Sequence, residues 1–182
     1  MSSFNPNDYG PVLSELVDID RQRPLDSGNP SQAAKAKLRT ATLDSAFAHT
    51  EIADAEMARC VLSGVWLLHD FLDESHTFSQ AIHTSEGSFW HGIMHRREGD
   101  FSNAKYWFRN AGDHPAYSLI AARVANEVEG GESLLSGTDW EPFDFVDACQ
   151  AALRTGEQAT ACLHAQQIEW EVLFDHCYQA AL

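Results

Sequence analysis

Five of the nine histidines fall between His69 and His95, and Arg96, Arg97, Glu98, Asp100, Asn103, Lys105, Tyr106, Trp107 and Arg109 follow at once. Imidazole is the side chain that binds metal, moves protons or changes charge near neutral pH. A site is therefore expected between residues 66 and 109. His91, His95 and Glu98 stand at i, i+4 and i+7, and two imidazoles four apart on a helix can ligate one ion. The segment lacks the glutamate of the His-Glu-x-x-His protease pattern.

A second set lies just upstream. His69, Asp73, His76, Gln80 and His83 are spaced four, three, four and three, which makes a narrow polar stripe if one helix runs through them. The plain interpretation is a solvated face opposite Leu67, Phe71, Phe78 and Ile82. The sharper one uses a short turn near Thr84 to fold this helix back on the next, so that Asp73 and His76 face His91 and His95. Such a His/Asp set suits zinc, nickel or iron. In an enzyme, Glu98 would be the general base.

The cations offer a different chemistry. Arg96, Arg97, Lys105 and Arg109 are four of only twelve Lys and Arg residues. With Trp107, Tyr106 and Asn103 they could hold a carboxylate or phosphate. Simple salt bridging to Glu98, Asp100 and the acidic surface is the competing account.

Several classes are disfavoured. A formal net charge of −15 argues against phosphate-rich nucleic acid and against anionic lipid. No apolar run approaches roughly 20 residues, and the first thirty residues lack a secretory pattern, so a cytoplasmic protein is expected. Cys60, Cys149, Cys162 and Cys177 form no C-x-x-C pair and read as small apolar residues. There is no nucleophile elbow, P-loop or dinucleotide fingerprint.

The elements that must position these residues are helical. At 182 residues and 44% hydrophobic, the chain can build one sizeable core. Residues 1–30 carry four prolines and read as an extended arm with one short helix near Val12–Val17. Residues 31–182 read as a single helical domain. Expected helices follow Ser31, start near Asp54 and continue past Phe71 to Ile82 with room for a break near Ser75, run from Gly87 to Glu98, from Asp100 to Gly112, from Pro115 past Val124, from Asp139 to Leu153, and from Glu157 to about Ala181. Strand signals are weak. The fold class is all-α, an irregular domain of about seven helices.

Residues 88–115 resemble one tetratricopeptide unit. Gly92, Phe101, Ala104, Phe108 and Ala111 match its small and aromatic positions, and Pro115 closes it one residue early. Ser88 replaces the usual first-helix tryptophan and His91 an apolar residue. No second copy is evident, which implies a tetratricopeptide-like hairpin within an irregular domain. The stretch Asp70-Phe-Leu-Asp-Glu-Ser-His76 with Gly87-Ser-Phe-Trp-His-Gly-Ile-Met-His-Arg-Arg-Glu-Gly-Asp-Phe-Ser-Asn-Ala-Lys-Tyr-Trp-Phe108 also resembles an uncharacterised bacterial protein family, implying a shared fold and no particular activity. The pair His69-Asp70 resembles the metal pair of helical HD-type phosphohydrolases, without the Gly-Lys that follows it there.

The sequence therefore reads best as a helical protein that binds a small polar or anionic ligand, or a protein partner, in a His/Arg/aromatic groove built on Asp73, His76, His91, His95, Arg96 and Trp107. The alternatives are a metal-dependent hydrolase-like enzyme with Asp73, His76, His91 and His95 as ligands, and a scaffold subunit with no small-molecule site.

Overall fold

A computed structural model describes residues 4–182. Among these residues there are ten α-helices and two 3-10 turns, Pro6–Tyr9 and Gly131–Leu134, and no strand beyond a single bridge between Ser136 and Asp139. The helices are α1 Gly10–Val17, α2 Lys35–Thr40, α3 Leu43–Ala46, α4 Ala55–Leu68, α5 Leu72–Ser79, α6 Ser85–Glu98, α7 Phe101–Ala111, α8 Ala116–Glu127, α9 Pro142–Thr155 and α10 Ala159–Ala181. No helix among the described residues is long and apolar enough to cross a membrane. The all-α class stands, while the count of about seven is too low. The surplus comes from short helices, whose few turns give little periodicity to read.

One of them corrects a helix boundary that bears on the site. The helix expected through residue 82 stops at Leu68, because Asp70 takes a left-handed φ of 64°. That conformation is costly for a residue with a Cβ. It persists because the Asp70 carboxylate accepts from Arg97 Nη2 at 2.6 Å, from the Asn29 amide at 3.2 Å and from Arg23. Burial alone would raise the Asp70 pKa; the two guanidiniums hold it below the usual carboxylate value.

α4, α6 and α10 form the centre. Asp54 caps α4, accepting from the amides of Glu56 and Met57 at 2.8 and 3.1 Å. Gly64 lets α6 approach: a Cβ there would lie 2.7 Å from the Trp90 ring. On the other side, Trp170 Nε1 of α10 donates to Gly64 O at 2.9 Å. α5 is fastened to α4 by Ser63 Oγ, which lies 3.0 Å from both Ser75 O and Ser75 Oγ.

α6 and α7 make a tight hairpin. Thr84 caps α6 through the Gly87 amide at 3.2 Å, Gly99 ends it at φ 89°, and Asp100 caps α7 through the Asn103 amide at 3.1 Å. Gly92 admits the Phe108 ring, with 3.0 Å left for a Cβ. α9 covers the far side of α7, and α8 lies against α10.

The segment expected as an extended arm is wrapped onto this body over its described residues. Tyr9, Leu13, Leu16, Val17 and Leu25 are buried. Residues 1–3 of that expected arm lie outside the described ones.

Candidate functional site

α6 is buried on all sides from Gly87 to Arg97. Its histidines therefore do not face water, although they sit opposite the apolar side set by Phe89 and Ile93. His91 is 2% exposed and His95 7%. α5 covers them on one side and α7 on the other. His76, on the last turn of α5, packs edge-on against both, with ring centroids 4.6 Å from His91 and 5.5 Å from His95. From α7, Trp107 stacks on His91 at 3.8 Å and 11°. One ligand atom from each of His76, His91 and His95 lies within 4.8 Å of the others.

The protonation of the group follows from its surroundings. Burial first, then the neighbouring His95 and His76, pushes the His91 pKa down to about 3. Burial also lowers that of His95, against the pull of Glu98. Both rings are neutral at pH 7, the form that ligates metal. His95 Nδ1 lies 3.0 Å from Glu98 Oε2 and so carries the proton it donates. Its Nε2 is left as the lone-pair nitrogen, 3.1 Å from the Asn103 side-chain amide. His91 Nδ1 is buried without a hydrogen-bond partner.

That arrangement has the parts of a metal site. A tetrahedral ion with Zn–N of about 2.0–2.1 Å needs ligand nitrogens roughly 3.4 Å apart. Side-chain adjustments of about 1 Å would bring the three imidazoles to that spacing. A carboxylate on the non-ligating nitrogen, as Glu98 is on His95, is the usual support for a ligating histidine.

The other expected site residues lie elsewhere. Asp73 is exposed on the first turn of α5, one turn from His76, and does not join the three histidines. Arg96 points away into the core. It is wholly buried, pairs with Glu169 of α10 and lies 4.6 Å from the Phe145 ring centroid. A ligand in contact with His91 cannot use it. Glu98 is held by His95 and acts as its orienting partner, not as a free base.

The expected anion cluster is dispersed as well. Arg97 binds Asp70, Lys105 binds Asp147 at 2.6 Å, and Arg109 sits over Phe143. The polar stripe from His69 to His83 is broken at Asp70. His69 is buried, its Nε2 2.8 Å from Leu16 O, and His83 is exposed. His69 and Asp70 are thus committed to structural hydrogen bonds, which removes the resemblance to a phosphohydrolase metal pair.

A second cluster was not visible in the sequence. Glu86 Oε1, at the start of α6, lies 3.2 Å from His176 Nε2 and 3.6 Å from His114 Nε2. The two neighbouring imidazoles, His114 just beyond hydrogen-bond range and His176 within it, hold the Glu86 pKa well below the carboxylate range. The three are separated by 28 and 62 positions, so no local spacing marks them. This cluster suits an ion pair better than a metal. His114 Nδ1 accepts from the Ala116 amide at 3.1 Å, which places the ring proton on Nε2 toward Glu86. A metal at Nε2 would need that proton on Nδ1 and would sacrifice the amide contact.

Compared with protein-family models, with curated proteins and with solved structures, the chain gives no match.

Proposed function

We propose that this protein binds one transition-metal ion of the zinc class through His76, His91 and His95. The observation that carries the proposal is the convergence of three imidazoles from two helices within 4.8 Å, with a buried His91 nitrogen that has no other partner. Nitrogen ligands of this kind suit zinc, nickel and copper better than magnesium or calcium. Glu98 orients His95, Trp107 fixes the plane of His91, and the Asn103 side-chain amide, which rests on His95 Nε2, would yield that nitrogen to the ion. α6 and α7 serve as a single tetratricopeptide-like hairpin that presents two of the three ligands, and the likeness of residues 70–108 to a bacterial family belongs to the same proposal.

Two earlier expectations lose support. A free anionic ligand has little to bind, because Arg96, Arg97 and Lys105 are each paired with a carboxylate. A metal-dependent hydrolase rests only on the fourth position being open to water. Glu98, engaged by His95, is poorly placed as its base.

Protein purified without a histidine tag should take up one equivalent of zinc or cobalt, with cobalt giving the intense visible bands of a tetrahedral site. His91→Ala or His95→Ala should abolish uptake, and Glu98→Gln should weaken it by about 10–100-fold. Less than a tenth of an equivalent, with no change in melting temperature on adding metal, would overturn the proposal.

A further inference from the structure

A separate groove lies on the other side of the hairpin, between α8 and the segment 132–143. Its volume is about 1040 Å³. The floor is the small-residue face of α8, Ala121, Ala122 and Ala125, and the walls are aromatic: Tyr117, Trp140 and Phe143. From Tyr117 to Ala125 the floor runs about 12 Å at 1.5 Å per residue. That length accommodates an extended ligand.

The charges around the groove are one-sided. Asp113 stands at the start of α8, Glu132 at the 3-10 turn, and Asp139 and Glu141 on the segment leading into α9. All four are exposed, and none has an ion-pair partner among the described residues. The single cation in the lining is Arg109, whose guanidinium lies 5.6 Å from the Phe143 ring centroid. The fold thus already places a positive group on one aromatic face of the groove. Aromatic faces attract cations through the ring quadrupole, and unpaired carboxylates supply acceptors for ammonium hydrogen bonds.

We propose that this groove binds a linear organic polycation of the polyamine class. Its ammonium groups meet the carboxylates, and its methylene segments lie on the alanine floor and aromatic walls. The groove offers carboxylates and hydrocarbon surface together, which suits a ligand that carries both ammonium groups and methylene segments. The inference is independent of the metal site, since the groove uses none of its residues.

The test is calorimetric titration of the full chain with spermidine in 0.15 M salt, where diffuse attraction to an acidic protein is largely screened. One saturable site is expected. The exposed double change Asp139→Asn with Glu141→Gln should weaken it at least ten-fold without shifting the melting temperature, and Phe143→Leu should weaken it several-fold. Asp73→Asn, which removes an exposed carboxylate of α5 outside both sites, should leave it unaltered. Absence of saturation overturns the proposal, as does equal displacement by magnesium at matched ionic strength, or unchanged affinity in the double variant. Saturable binding of a short oligolysine but not of spermidine also overturns it, and identifies the groove as a peptide-docking surface.

Discussion

Acid should destabilise this protein through one residue more than through most others. The His91 pKa is pushed from 6.5 down to about 3 in the folded chain, while the unfolded chain keeps the ordinary value. A depressed histidine pKa means that the unfolded state binds the extra proton. The associated stability is therefore complete above pH 6.5 and is lost as pH falls below it. Each pH unit removes about 1.4 kcal/mol for a single proton. At pH 5.0, one and a half units below the unfolded value, His91 alone should have lost about 2 kcal/mol. The assay is urea unfolding at pH 7.5 and 5.0 in the presence of a chelator, on the unaltered protein and on His91→Gln. The variant carries no titrating ring at this position. The unaltered protein should lose about 2 kcal/mol more than the variant over that interval. Other groups, including Glu86 and Asp70, contribute to both proteins and drop out of the difference. Equal losses would show that the imidazole is not held neutral, and the account of the metal site would lose its electrostatic basis.

Glu169→Gln should cost about 3–5 kcal/mol, measured by the shift in denaturant midpoint, because it leaves Arg96 wholly buried without its counter-charge. Gly64→Ala should cost about 1–3 kcal/mol, since its methyl would meet the Trp90 ring at 2.7 Å in a fully buried position; a neutral effect in thermal melting would show that α4 and α6 are further apart. All four thiols are buried, so a thiol reagent should modify none of them in folded protein and all four in denaturant; rapid labelling of any one in native buffer would contradict its placement.

The helix limits were legible where local chemistry sets them. Asp54, Thr84 and Asp100 each cap the helix that follows, and Gly99 and Gly156 end theirs with left-handed φ. The meeting of His76 with His91 and His95 was also accessible, because the turn between Ser79 and Ser85 is short and returns α5 along α6. Asp73 stays on the same helix as His76, but it lies three positions earlier, one turn back and about 60° around the axis, so it is exposed where His76 reaches the two rings of α6. The kink at the left-handed Asp70 instead takes His69 out of line with His76. That kink depends on Arg23, Asn29 and Arg97, which lie 27 to 47 positions away. Arg96 was misjudged for a related reason: its partner Glu169 is 73 positions distant. Long-range partners leave no trace in local periodicity. The burial of α6 was not legible either, because that helix is enclosed by α4, α5 and α7 together, and an enclosed helix need not show a one-sided apolar pattern.

The irregular backbone from Arg23 to Asn29 does more than connect α1 to α2. Arg97 Nε donates to Pro24 O and Asp26 O, Gln166 Nε2 donates to Arg23 O and Pro24 O, and the Asn29 amide closes on Asp70. Peeling this stretch away would strand an arginine and an aspartate in the interior without their full complement of partners. Its release is thus coupled to collapse of the whole molecule. A protease attacking this link should cut no faster than the protein globally opens, despite the absence of any helix there.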